Sequence, residues 1–451
     1  MLTIPRPRLR PSDSSCSLIE SIVKARANIL LLVAIVGTIG YLLGAIFIAT
    51  DQPLLEKQDD SVLVQCTVGR EGRFILLPVE VGDRQYPFIF DTGSTYTIYD
   101  TSFLARMGQP RGHVEGQTHA GKVPVTLFDS IPARLGTISL QTDDPVLCMD
   151  LKFIQQFYGQ GIQGIAGISH FRKLVVQVDF DQGTFAVFRP PAKAPAEWGQ
   201  PIEVTYGSEG TPYVVATIGG EKARLLVDTA NLGNGSLADE LFLHLQQKGK
   251  LKVTGSGLNA TAAGNEVQSH GSVGSFALGP FAHEDLPFHK SRVSSLGLRY
   301  WSRYRMTLDF SRQVMYLAKG KGYARRDAPD MIGLALHRVN DRLVVHSVEK
   351  GMPASRAGLK PGDLVLSIQG RPAADYELFH LFRHVFEQEG TRITMTIERN
   401  QQKMDVSFIL QSTMPVDQNE SRTGSAPASS PEVRVPPMRS DADMGRAEIA
   451  D

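Results

Sequence analysis

Two stretches of the chain end an apolar run in the same way, and this repetition constrains the fold most strongly. The run at 88–90 leads into Asp91-Thr92-Gly93-Ser94, and the run at 225–227 leads into Asp228-Thr229-Ala230. A strand-like segment and a Gly-containing turn precede each run. Each stretch therefore predicts a β-hairpin that places an aspartate at a strand end. One such aspartate alone is ordinary, because Asp, Gly and Ser are common turn formers.

A second repeat follows each of these aspartates. The segment 167–188 matches the segment 297–318, and Gly167 and Gly297 lie 130 positions apart, as do Asp179 and Asp309. In both copies Asp-Phe ends one strand, a short turn follows, and an alternating strand continues. Repeats of this kind predict two copies of one structural unit.

The two Asp-Thr turns and the repeated segments carry a resemblance to a known family. By these features the segment 66–320 resembles the two lobes of a pepsin/retropepsin-type aspartic protease. The resemblance implies a mainly β, two-lobed acid-protease β-barrel fold, with lobe 1 at 51–190 and lobe 2 at 201–320. It also implies one catalytic aspartate per lobe, Asp91 and Asp228. Two close carboxylates cannot both ionise cheaply, so one keeps its proton while the other acts as general base on a water.

The same resemblance assigns supporting roles around the two aspartates. Thr92 and Thr229 are expected to hydrogen-bond across the lobe interface, while Gly93 and Ser94 complete the first turn. Ala230 departs from the Asp-Thr-Gly pattern of the family. The Gly-rich stretches 115–125 and 255–267 are the candidate β-hairpin flaps, with ordinary surface hairpins as the alternative.

The segment 331–411 resembles a PDZ domain of the kind attached to bacterial envelope proteases, on its Pro-Ala-x-x-Ala-Gly-Leu-x-x-Gly-Asp run. The resemblance implies a β-sandwich or barrel with helices. It assigns a carboxylate-binding loop to Ile332, Gly333 and Leu334 and a groove wall to a helix at about 375–386. A peptide C-terminus would add there as a strand. A PDZ domain used only for packing is the alternative.

Residues 29–48 carry no charge and are long enough to cross a bilayer as a helix, which takes about 20 residues. We therefore predict a cytoplasmic segment at 1–28, one transmembrane helix at 29–50 and a disordered tail at 412–451. Basic residues before the run predict a single-pass inner-membrane protein with its N-terminus in the cytoplasm and its domains in the periplasm or outside. A cleaved signal peptide is the alternative.

Other features narrow the range of functions. Lys+Arg and Asp+Glu both number 47, so no charge excess indicates nucleic acid as a partner. No Cys/His spacing is typical of zinc, and we expect neither a metal nor a cofactor; His380 and His384 are explained by the helix that carries them. Cys66 and Cys148 are open to two interpretations, a disulfide or two buried thiols.

Together these features predict a membrane-anchored aspartic endopeptidase that acts on protein or peptide substrates, with a PDZ domain that binds substrate or partner C-termini. The alternative is a catalytically inactive protease fold plus PDZ scaffold for peptide binding at the membrane. A third interpretation pairs Asp91 with the same residue of another chain, as in homodimeric retropepsins.

Overall fold

The computed structural model describes residues 61–118, 121–158, 161–261, 264–327 and 331–411. The predicted cytoplasmic segment, transmembrane helix and C-terminal tail lie outside these residues. Within the described part of the chain, no helix combines the length and apolar character needed to span a bilayer.

The first half, residues 61–188, is built almost entirely from strands. Its elements are β1 (Val62–Thr67), β2 (Leu76–Val81), β3 (Arg84–Phe90), β4 (Ile98–Asp100), β5 (Gly112–Thr118), β6 (Gly121–Phe128), β7 (Ala133–Leu135), β8 (Ile138–Ser139), β9 (Val146–Met149), helix α1 (Lys152–Tyr158), β10 (Gly164–Ala166), β11 (Val175–Asp179) and β12 (Thr184–Phe188). Short 3-10 turns occur at Thr101–Arg106 and Ile168–Phe171.

The second half, residues 200–319, repeats this order. Its elements are β13 (Gln200–Glu203), β14 (Thr205–Tyr206), β15 (Pro212–Ile218), β16 (Glu221–Val227), β17 (Gly235–Ala238), helix α2 (Asp239–Gln247), β18 (Leu251–Thr261), β19 (Gly264–Val273), β20 (Phe276–Leu278), β21 (Phe281–His283), β22 (Leu286–Ser291), β23 (Ser295–Leu296), helix α3 (Leu298–Trp301), β24 (Tyr304–Asp309) and β25 (Val314–Lys319). A 3-10 turn at Ala196–Trp198 joins the halves.

The strand orders of the two main sheets are the same. The first half has the order β5-β6-β9-β4-β10-β3-β2-β7-β8, and the second has β18-β19-β22-β17-β23-β16-β15-β20-β21. The predicted hairpins are confirmed, since β2 pairs with β3 and β15 with β16. The stretches 115–125 and 255–267 lie in the hairpins β5–β6 and β18–β19. The repeat seen in the sequence is therefore a repeat of structure.

A six-stranded sheet joins the halves, in the order β1-β12-β11-β24-β25-β13. At its centre β11 and β24 run antiparallel with Gln177 opposite Thr307. These two residues are equivalent in the repeat, and Gln177 Nε2 donates to Thr307 Oγ1 at 2.9 Å. The pseudo-twofold axis therefore passes between them, and one continuous apolar core extends through both halves.

The C-terminal domain, residues 331–411, has a core of its own. Its elements are β26 (Leu334–Val339), β27 (Arg342–Val348), helix α4 (Pro353–Arg356), β28 (Leu364–Ile368), β29 (Arg371–Pro372), helix α5 (Leu378–His380), a π-helical turn (Leu381–Val385), β30 (Arg392–Arg399) and β31 (Gln402–Ile409). The predicted helix start at Pro353 is confirmed, and Gly358 ends that segment at φ +84°. The helix predicted at about 375–386 is shorter, at 378–385, because a 3-10 turn at Ala373–Asp375 precedes it.

Candidate functional site

The two aspartates occupy equivalent turns. Asp91 follows β3 and Asp228 follows β16, and each strand has a short parallel neighbour, β10 or β23. The Asp91 N–H donates to Ala166 O and the Asp228 N–H donates to Leu296 O, both at 3.0 Å. Both side chains therefore begin from the same backbone geometry.

N–H groups of its own turn bind each carboxylate. Gly93 N–H donates to Asp91 Oδ1 at 2.7 Å, and Ala230 N–H and Asn231 N–H donate to Asp228 Oδ1 at 3.0 Å. The methyl group of Ala230 is accommodated because its φ is negative, so alanine supplies the same N–H group as Gly93.

The two carboxylates face the same small space. A Cβ placed on Gly93 would lie 3.1 Å from Asp91 Oδ1 and 3.4 Å from Asp228 Oδ1. A single methyl group would thus contact both side chains. The structure thus brings together the two aspartates that the sequence singled out, and a small side chain at position 93 is a condition for this approach.

The threonines of the two turns hold the halves together. Thr92 Oγ1 donates to Val227 O at 2.5 Å, and Thr229 Oγ1 donates to Phe90 O at 2.7 Å. Each hydroxyl also accepts the other threonine's backbone N–H, at 3.2 Å for Thr92 and 3.0 Å for Thr229. Both threonines are fully buried. This reciprocal set links the two turns across the interface of the halves.

Ser94, the remaining predicted support residue, hydrogen-bonds within its own turn, where its Oγ donates to Tyr96 O at 2.9 Å. In the second half Asn231 stands in the corresponding region, and its Oδ1 accepts from Gly233 N–H at 2.9 Å. The two turns are therefore alike in backbone and different in side chains.

Gly167 and Gly297 lie directly behind the two turns. A side chain at Gly167 would collide with the carbonyls of Thr95 and Tyr96, and one at Gly297 would collide with those of Asn231 and Gly233. The repeat at these glycines reflects the same close approach of two backbones in each half.

Tyr158, at the end of α1, was not predicted from the sequence. Burial and the charge of Asp228 raise the pKa of its phenol to about 12. Its ring packs edge-on against Phe74 at 4.4 Å. No turn motif or repeat marks Tyr158, since α1 has no helical counterpart in the matched segments.

The C-terminal domain presents the predicted loop next to a groove. Gly333 has φ +63°, and a side chain there would collide with Met352. Ile332 and Leu334 are buried, while Phe382 is 39% exposed. A cavity of about 510 Å³ lies between the loop, the 378–385 helix and the two halves.

Ion pairs attach this domain to both halves. Arg73 pairs with Glu377, and His384 Nε2 lies 3.0 Å from Glu71 Oε2. Buried Arg299 pairs with Asp327 and, at 2.5 Å, with Glu387. His384 thus lies beside a carboxylate. Within the described residues, no group of three or more His, Cys, Asp or Glu side chains is arranged to hold a metal ion.

The described cysteines, Cys66 and Cys148, are both free thiols. Burial raises the pKa of each to about 11, with the charge of Asp100 also acting on Cys148. Of the two interpretations open from the sequence, the structure selects the thiols.

Two partly buried histidines give a pH prediction. Burial lowers the pKa of His170 and of His283 to about 4, against about 6.5 in an unfolded chain. The unfolded state therefore binds more protons, so stability is full above pH ~6.5 and falls as the pH drops toward 4. His170→Gln should reduce this pH-dependent loss of stability by on the order of 2 kcal/mol, and His283→Gln should reduce it by less, because solvent screens the more exposed His283. Urea unfolding at several pH values between 7 and 4 measures the free energy of unfolding of each variant. Exposed His113→Gln is the control, and an unchanged slope in both variants would contradict the assignment.

Comparison with known proteins identifies the C-terminal domain. Residues 330–410 match the PDZ domain family. Proteins named "Probable CtpA-like serine protease" from Staphylococcus aureus strains RF122 and COL are 33% identical over 77 residues, which is 17% of this chain and 16% of theirs. The protein of that name from Staphylococcus saprophyticus is 30% identical over the same length. The chain thus spans about a sixth of the length of these relatives, over the PDZ region.

These findings change the prediction from sequence. The C-terminal PDZ domain and the mainly β architecture are confirmed, and protein or peptide partners are supported. The predicted membrane-anchored aspartic-type endopeptidase is contradicted, because the matched relatives are named serine proteases. The comparisons likewise give no support to a membrane helix as the anchor.

Proposed function

We propose that the chain binds protein or peptide ligands by their C-termini through its PDZ domain. The match of residues 330–410 to the PDZ family carries this proposal. The loop Ile332-Gly333-Leu334 leads into the edge strand β26, and the 378–385 helix lies opposite it along the cavity. A peptide that adds to β26 places its terminal carboxylate at the backbone N–H groups of this loop.

The full chain should bind a peptide with a free C-terminal carboxylate at least about tenfold more tightly than its amidated form, since one charge-assisted hydrogen bond contributes ~1.5–3 kcal/mol. Fluorescence anisotropy measures both affinities. Gly333→Ala should weaken binding because it changes the loop at φ +63°. Gly370→Ala, at φ +75° with open space around it, is the matched control. Equal affinity for the two peptides would contradict the proposal that the loop binds the terminal carboxylate.

We further propose that Asp91 and Asp228 form a paired-carboxylate site at the interface of the two halves. The shared space at Gly93 and the threonine contacts support two carboxylates that face one another across the halves. The names of the PDZ relatives favour a second candidate, hydrolysis through a serine nucleophile. A sulfonyl fluoride reagent distinguishes them, because it modifies activated serine and leaves carboxylate pairs unaffected.

The matching strand orders of the two main sheets support a two-lobed acid-protease fold for residues 61–319. We propose the domain boundaries given by the sequence, with lobes at 51–190 and 201–320. A crystal structure of residues 61–411 tests this fold, and a different strand order at β10 or β23 would contradict it.

For location we propose that residues 29–50 cross the inner membrane, with the N-terminus in the cytoplasm. The charge-free run 29–48 and the basic residues before it support this topology. A reporter enzyme fused after residue 411 should be active only if it functions outside the cytoplasm. Activity of a cytoplasm-dependent reporter at the same position would reverse the topology.

A further inference from the structure

We infer that helix α1 of the first half is a gate across the PDZ groove. It leaves room for the last few residues of a peptide, and it has to move before a longer peptide can lie along β26. The inference rests on the proposed binding of peptide C-termini by the PDZ domain, and it adds that the first half regulates this site.

Helix α1 is an addition to the repeated fold. The matching strand orders make β9 and β10 of the first half equivalent to β22 and β23 of the second. The first half joins its two strands through residues 150–163, which contain α1, whereas the second half joins its two strands through residues 292–294 alone. The repeated fold therefore closes without this helix, and a role for α1 lies outside that fold.

The helix has two apolar faces. Leu151 and Ile154 are buried in the core of the first half, and Tyr158 packs against the same core. Their spacing of three and four residues places them on one face. Phe153 and Phe157 lie four positions apart on another face, and their ring centroids are 4.7 Å from each other. One face thus holds α1 to the first half and leaves the phenylalanines for a second partner.

That second partner is the PDZ domain, on both sides of its groove. The Phe157 ring lies 5.7 Å from the His337 ring on β26 and 4.8 Å from the His346 ring on β27. Helix α1 also packs against α5, at the start of the helical segment 378–385. Because β26 and this segment form the two walls of the groove, α1 extends from one wall to the other.

The part of the groove beside the loop stays open. Leu334, Ala335 and Leu336, the first residues of β26, line the cavity of about 510 Å³. At the next position, His337, the Phe157 ring covers the strand. A peptide whose carboxylate binds at the loop adds to β26 as a strand ~4.8 Å away and advances by ~3.4 Å per residue. Its last few residues fit beside 334–336, and the residues before them meet α1.

The gate also connects the groove to the paired-carboxylate site. Tyr158 is the last residue of α1, and the charge of Asp228 contributes to raising the pKa of its phenol. A long peptide that moves α1 therefore changes the surroundings of Asp228. A peptide that ends before His337 leaves them as they are.

Peptide length tests the gate. A tripeptide and a decapeptide with the same last three residues and a free carboxylate are titrated into the full chain by calorimetry. Phe157→Ala removes the ring that holds α1 on β26, so moving the helix costs less. We expect the decapeptide to bind this variant at least about tenfold more tightly than the wild-type chain, and the tripeptide to gain nothing.

The sign of this effect distinguishes the gate from a wall of the ligand site. Unchanged or weaker binding of the decapeptide to Phe157→Ala would overturn the inference and leave the proposed function intact. Lys152→Gln, at an exposed position of the same helix, is the control and should change neither affinity. Failure of both peptides to bind either chain, or equal binding of their amidated forms, would contradict the proposed function itself.

Hydrogen exchange of the wild-type chain gives the answer if circular dichroism shows that Phe157→Ala is misfolded. The exchange rate of a backbone amide follows the local opening of the structure around it. Saturating decapeptide should raise the exchange rate of the amides at 152–158 by at least about fivefold, and the tripeptide should not. Unchanged or slower exchange with the decapeptide would show that α1 stays in place, and the gate would be wrong.

Discussion

Asp91→Asn and Asp228→Asn should each reduce peptide hydrolysis by about a thousandfold or more only if the paired carboxylates are catalytic, because residues that act as one unit fail together, and should leave it unchanged if a serine carries the reaction. Asparagine keeps a carbonyl oxygen that can accept the N–H groups of Gly93 and Ala230, so the turns should retain their geometry. It cannot share a proton as a carboxylate does. Hydrolysis of an unfolded protein by the purified chain, followed by mass spectrometry, measures the loss.

Asp129→Asn is the control, since it removes an exposed carboxylate that belongs to neither turn. Loss of activity in Asp91→Asn alone would show that the second half is not reactive and would favour pairing between two chains. Full activity in both asparagine variants, together with inactivation by a sulfonyl fluoride, would establish the serine class found in the names of the PDZ relatives.

The repeated half could be predicted from the sequence because its constraints are local. Strand alternation, turn residues and the glycines at 167 and 297 all reflect contacts within one unit, and the same unit occurs twice. The residue pairing at the centre of the joining sheet, Gln177 with Thr307, follows from the same spacing. Pairs of equivalent residues meet on the pseudo-twofold axis.

Contacts between the PDZ domain and the halves could not be predicted in this way. Arg73 and Glu377 are separated by most of the described chain, and neither lies in a motif. Tyr158 reaches the neighbourhood of Asp228 from a short helix without a repeat partner. Side chains that meet once, between units of different fold, leave no periodic pattern in a single sequence. The enzyme class predicted from local motifs was contradicted by the comparisons. The relatives that match the PDZ region are named serine proteases, and no local motif of the chain indicated that class.

Thr92→Val and Thr229→Val should each lower the free energy of unfolding by about 2–4 kcal/mol, because valine keeps the shape and removes the hydroxyl. In Thr92→Val the buried N–H of Thr229 and the carbonyl of Val227 lose their partner. In Thr229→Val the N–H of Thr92 and the carbonyl of Phe90 lose theirs. Urea unfolding of the purified chain measures both variants.

Ser94→Ala is the matched control for this prediction, because its hydroxyl bonds only within its own turn among the hydrogen bonds described above. It should cost less than about 1 kcal/mol. The double threonine variant should cost less than the sum of the single variants, since either substitution alone already breaks the reciprocal network to which both threonines belong. Single-variant losses no larger than that of Ser94→Ala would mean that water replaces the lost hydroxyls, and the threonines would then not hold the two halves in register. Additive losses would mean that the two threonines stabilise the interface independently of one another.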